Sequence, residues 1–227
     1  MRILETNARH RRHRRHRGSG FSLIEMMAVV AISIIVAVVS VFGLVPALKQ
    51  QHVTNAYNTT LSALRQARDT AVSQRTSYSV TFSNTVTPNT ITVAPALASG
   101  VAAFTGDQNA VTYQLPTDVT FLAQQPTVGA TPAPDSFGTG TNSIDFGYTS
   151  NGNSGGTTVT VIYFCPDGSA QVALSCAGGN NWDNGVVYIS QSGNLLSSRA
   201  VDVWGGTGRI HGWRLYSTSG GYKWVRQ

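Results

Sequence analysis

The side chains able to do chemistry in this sequence are two cysteines, five histidines, ten carboxylates and a carboxy-terminal set of cations among aromatic rings. Cys165 and Cys176 are the only thiols. In an oxidising compartment their spacing suits a disulfide, and closing so short a loop would add about 3 kcal/mol on a chain-entropy basis. A competing arrangement is a hairpin turning at residues 166–169. Pairing 157–165 with 170–176 would hold the two thiols roughly 20 Å apart at ~3.3 Å per residue, whereas a bridge spans less than about 7 Å. Either a bridge closes a looped excursion over 166–176, or a hairpin leaves two free thiols. An extracytoplasmic location favours the bridge.

Acid–base chemistry finds little support. Beyond the first twenty residues only His52 and His211 remain, and neither has an acid beside it in sequence. The spacings of a nucleophile elbow, a phosphate loop and a zinc site are all missing. Asp107, Asp118, Asp135, Asp145, Asp167 and Asp183 are scattered, as expected of turn and cap residues. They lack the alternating oxygen ligands of a calcium loop. The expectation is a protein that is not an enzyme and needs neither metal nor cofactor.

Charge is distributed more tellingly. Residues 76–198 contain six acids and no Lys or Arg, whereas 199–227 contain Arg199, Arg209, Arg214, Lys223 and Arg226 against Asp202 alone. Interleaved with His211, Trp213, Tyr216, Tyr222 and Trp224, the cations Arg209, Arg214, Lys223 and Arg226 suggest a DNA groove, with phosphates on the guanidinia and bases on the rings. Strand alternation opposes it. Arg209, His211 and Trp213 face one side and Ile210, Arg214 and Tyr216 the other, unless a bulge at Gly212 resets the register. The plainer reading is a last strand and tail with packed rings and exposed cations.

The most informative carboxylate is Glu25. It sits at the head of an apolar run, 26–48, that is broken only by Ser33, Ser40, Gly43 and Pro46. As a helix those residues suffice to cross a hydrocarbon core, which takes about 20. One acid in such a helix costs roughly 2.5–3.5 kcal/mol and needs a partner. No basic side chain lies between Phe21 and Leu48. Cleavage after Gly20 would create one cation at this depth, the α-ammonium of Phe21, one helical turn from its own Glu25 or within reach of a neighbour's.

The elements around that acid follow. The whole formal charge of +6 resides in residues 1–20, which hold seven arginines and one acid; the remainder is neutral. The run of Arg and His at 9–17 has three readings: nucleic-acid binding, metal binding through His10, His13 and His16, or retention of the amino terminus in the cytoplasm. Such dense like charge is expected to be unstructured, and a basic flank before a span places the amino terminus inside and residues 50–227 outside. A secretory signal fits poorly, because Gly18-Ser19-Gly20 precede the apolar run. Pro46, with Gly43, predicts a kink or unwound turn. Beyond it Val53, Tyr57, Leu61, Leu64, Ala67 and Ala71 form one stripe of an amphipathic helix. From Thr76 the sequence alternates in short runs, with strands expected at 78–82, 90–94, 110–115, 119–122, 143–146, 157–164, 185–189, 200–204 and 209–216. Turn-rich stretches at 125–140 and 150–156 separate them.

Gly20-Phe21-Ser22-Leu23-Ile24-Glu25-Met26-Met27 resembles the processing motif of type IV prepilins and type II secretion pseudopilins. The stretch 61–72 resembles the second half of the long helix in pseudopilins of the GspH/FimT family. The order Ile162-Tyr163-Phe164-Cys165-Pro166-Asp167-Gly168, Gly185-Val186-Val187-Tyr188-Ile189 and Thr207-Gly208-Arg209-Ile210 follows that family's carboxy-terminal β region. The resemblance implies an α+β, type IV pilin-like fold, a long amino-terminal helix (its first half transmembrane) packed on an antiparallel β domain. Its segments would be a cleaved leader at 1–20, a membrane and filament-core helix at 21–48, an amphipathic helix at 49–77 and a β domain at 78–227. It also implies cutting after Gly20 by a prepilin peptidase, methylation of Phe21, and assembly through Phe21 and Glu25, with Gly43 and Pro46 as the helix break. Implied partners are the peptidase, other pilin or pseudopilin subunits and an inner-membrane assembly platform. The implied location is a single pass in the inner membrane with the β domain periplasmic, and a filament after assembly. Some relatives in competence pili bind DNA, which is the alternative role. Residues 83–160 carry no resemblance.

Overall fold

The structure, a computed structural model, describes residues 20–96, 109–124, 134–138, 140–148, 154–173, 176 and 182–227. The Arg/His run, Asp107 and most of the turn-rich stretches lie outside these residues. The chain divides into two compact units, one ending at Val45 and one running from Pro46 to Gln227. A single helix, α1 (Leu23–Gln74), contributes to both.

In the first unit the Ser22 carbonyl accepts the backbone N–H groups of Glu25 (3.0 Å) and Met26 (3.2 Å), which starts the helix. Its two interior hydroxyls turn back on the helix itself. Ser33 donates to the Val29 carbonyl and Ser40 to that of Val36, each at 2.8 Å. Neither hydroxyl therefore needs water. The described apolar side chains from Phe21 to Leu48 are all exposed. The helix is long and apolar enough to cross a membrane. α1 is continuous through Gly43 and Pro46, so no unwound turn divides it there. A proline removes one rung of the hydrogen-bond ladder, and long helix on either side carries the chain past it.

In the second unit, α1 buries Val53, Ala56, Tyr57, Leu61, Ala63, Leu64, Ala67 and Ala71, the stripe read from the sequence with Ala56 and Ala63 added. It packs on two antiparallel sheets. The first has the order β3 (Val111–Gln114), β2 (Thr90–Pro95), β1 (Tyr78–Ser83), β7 (Val161–Phe164), β8 (Ala170–Gln171). The second has the order β12 (Gly221–Arg226), β11 (Arg209–Thr218), β10 (Asn194–Trp204), β9 (Asn184–Gln191), β5 (Ile144–Tyr148), β6 (Ser154–Val159), with β4 (Thr120–Phe121) also paired to β9. Phe82 of β1 joins the two, its ring centroid 5.5 Å from both Phe121 and Phe146. This is the expected α+β architecture.

Three details depart from expectation. The strand predicted at 157–164 is two strands in different sheets, divided at Thr160, whose carbonyl takes the Phe82 N–H at 2.9 Å. Residues 221–226, read as a tail, form β12. Finally, hairpin and disulfide coexist. β7 and β8 pair only through Tyr163↔Gln171 and Phe164↔Ala170, with Cys165 N–H donating to the Ser169 carbonyl. Pairing then stops, Val172 N–H turns to the Asp183 carboxylate, and Cys176 returns to bridge Cys165 at a Cα separation of 5.5 Å. The two arrangements exclude each other only for a deep hairpin, and this one is two residues deep.

Candidate functional site

At the amino terminus Gly20 and Phe21 precede the helix and Glu25 lies in its first turn. Phe21 is 75% exposed and Glu25 is exposed as well. Glu25 in the first turn complements the partial positive charge of the unpaired N–H groups there.

The sheets assemble a second polar centre that the sequence does not announce. Asp202, near the end of β10, is fully buried. Across the ladder from it stands His211 of β11, and Asp135 reaches in from a 3-10 turn at Pro134–Ser136. His211 Nδ1 is 3.2 Å from Asp135 Oδ2 and 3.4 Å from Asp202 Oδ1. Asp202 Oδ1 accepts the His211 backbone N–H at 3.1 Å and its Oδ2 the Trp213 indole N–H at 3.1 Å. Asp135 Oδ2 accepts the Trp204 indole at 2.8 Å.

Burial, with Asp135 alongside, pushes the Asp202 carboxyl up to about 8, so it holds a proton at neutral pH and shares it with Asp135. Burial alone would raise Asp135 too, but its hydrogen bonds to Asp202, Trp204 and His211 outweigh that and hold it below the ordinary carboxylate value. Burial lowers His211; its hydrogen bond to Asp135 works against this, while Arg226 and Arg209 add to it.

The three potential ligand atoms lie within 4.8 Å of one another. The carboxylate oxygens already accept N–H groups of His211, Trp213 and Trp204, and Asp202 shares its proton with Asp135. Among the described residues no hydroxyl reaches His211 Nε2. His52 likewise finds an acid only through the fold, Asp118 at 2.9 Å. Asp167 is the turn residue expected, accepting the Ser169 N–H and hydroxyl at 2.8 and 2.7 Å.

The four cations expected to form a DNA groove are divided. β11 pairs with β10 and with β12 in unbroken register, so no bulge resets the alternation at Gly212. Arg214 and Lys223 belong to one side of this ribbon, and Arg209 and Arg226 to the other. The rings are otherwise engaged. Trp224 packs on Tyr188 at 5.7 Å, Tyr216 lies under Arg214 at 5.0 Å, and Trp213 serves Asp202. Gly212 stays flush against α1, because a Cβ there would overlap the Tyr57 hydroxyl.

No curated protein and no solved structure matches the chain. Residues 15–41 match the family model of the prokaryotic N-terminal methylation motif, which is typical of type IV pilins and pseudopilins and spans both Gly20–Phe21 and Glu25.

Proposed function

We propose that this protein is a minor pilin or pseudopilin: a precursor held in the inner membrane by α1, cut after Gly20, methylated on the Phe21 amine, and assembled by its helix into a filament. The filament would be a type II secretion pseudopilus or a type IV pilus, and the role structural. The observation that carries this reading is the methylation motif at 15–41, which runs into a helix whose described apolar side chains up to Leu48 are all exposed. Such a surface requires lipid before assembly or other helices after it. In this reading the new ammonium neutralises Glu25 of its own or an adjacent helix and so sets the stagger between subunits. The β domain, periplasmic, faces outward, and the assembly platform and prepilin peptidase act on the membrane-stored form.

A DNA-receptor role draws less support, given cations split between two sides and rings committed elsewhere. The test is intact mass and amino-terminal sequencing of protein extracted from its host's membranes. The expected result is a chain beginning at N-methylated Phe21, with Glu25→Gln still cleaved but absent from sheared filaments. A chain that keeps its arginine-rich start, or a Glu25→Gln variant that polymerises normally, overturns the reading.

A further inference from the structure

Between the carboxy-terminal half of α1 and the start of β11 lies a concavity of about 400 Å³. Arg65, Arg68, Arg209 and Arg226 line it, with Asp69 the one carboxylate among the lining residues. Arg68 is fixed in place: its Nη2 donates to the Thr207 carbonyl at 3.1 Å and its Nε reaches the Gly168 carbonyl at 3.4 Å. Gly208, at φ +59, leaves the room this requires, since a Cβ there would collide with Arg68 and with the Gly168 carbonyl. Arg68 meets Asp69 only at 3.9 Å, and Asp69 is 76% exposed, a pairing worth little. Among the described residues no carboxylate lies within ion-pair reach of Arg65, Arg209 or Arg226.

Four arginines among the residues lining one cavity, against a single exposed carboxylate, leave an excess of positive charge that an anion can join, and guanidinium forks match carboxylate and phosphate geometry. We propose that this pocket is an oxyanion-binding site whose ligand is an acidic segment of a protein partner. Two observations favour a peptide over a nucleic acid. The one ring in the lining, His211, is largely buried and held by Asp135 and Asp202, so bases find no free stacking platform. Asp69 at its rim can accept backbone N–H groups, which a peptide supplies at each residue and a phosphodiester backbone lacks. The site lies wholly within Pro46–Gln227 and does not depend on the filament reading.

Fluorescence anisotropy on the full chain in neutral detergent tests it, using a dye-labelled hexaglutamate peptide, a labelled oligothymidylate of equal charge, and inorganic phosphate as competitor. Saturable peptide binding is expected, weakened by salt and displaced by phosphate. Among the described residues the side chains of Arg65 and Arg226 donate no hydrogen bond, so the double variant Arg65→Gln/Arg226→Gln should keep its melting temperature and lose about tenfold or more in affinity. Arg209→Gln should weaken binding in the same direction. Arg75→Gln/Lys49→Gln, which removes as much charge away from the pocket, should bind as the parent does. Absence of peptide binding, an equal loss in the control variant, or tighter binding of the oligonucleotide through the same arginines overturns the proposal.

Discussion

At the residue scale the most consequential group is Asp202, a carboxyl without exposure whose proton is shared with Asp135. An unfolded chain releases that proton near pH 3.8 and the folded one near 8. Between these values the native state binds the extra proton, so the contribution of Asp202 to stability is complete below the lower value and is lost as pH rises to the upper. Asp135 has the opposite sign. Held below its usual value, it favours folding above pH 3.8 and loses that effect as pH falls through its native value. His211, lowered from 6.5, adds a slope opposed to that of Asp202, but only up to that pH. From pH 6.5 to 8 Asp202 therefore acts alone, and stability should fall by up to about 1.4 kcal/mol per pH unit. Thermal unfolding of the detergent-solubilised chain across that window should show the decline, and Asp202→Asn should remove it. The sequence hides this cluster because its members lie far apart along the chain, joined by a β10–β11 ladder and a turn that only the fold brings over them.

At the element scale, the helix stripe and most strand positions could be read from residue alternation, because burial on one face imposes periods of 3.6 and 2. Sheet membership could not. The run 157–164 alternates as one strand, and nothing in Val, Thr and Ile distinguishes one sheet from another, so the crossing at Thr160 is decided by Phe82 and its neighbours. β12 escaped notice because Gly221 and two charged residues dilute its alternation, although Trp224 is buried in it. The disulfide belongs to this scale too. It closes an 11-residue separation behind a two-residue hairpin, so reduction should cost about 3 kcal/mol. Urea titrations with and without a thiol reductant should differ by that amount, with Cys165→Ser/Cys176→Ser matching the reduced protein.

At the scale of the whole molecule the chain joins a helix that water cannot solvate to a β-rich unit with its own core. Its exposed apolar stretch meets the length a bilayer requires. The full chain should stay with membranes through alkaline carbonate and leave them with detergent. Ile35→Arg, at the middle of the span, should shift an appreciable fraction into the carbonate-soluble pool, given a cost of about 2.5–3.5 kcal/mol for a central arginine.

The sequence by itself determined the amino-terminal design: motif, acid and span are contiguous, so their chemistry is local and survives without a fold. It also determined the amphipathic stripe and the opposition of Arg209 to Arg214, since strand alternation is a property of the backbone. Tertiary structure alone decided that Asp202 meets Asp135, and that Arg65 and Arg68 of the helix come to line one cavity with Arg209 and Arg226 of the sheet. Those juxtapositions join residues more than sixty positions apart. Their pairing depends on how a helix and two sheets bury one another, and no local pattern records that.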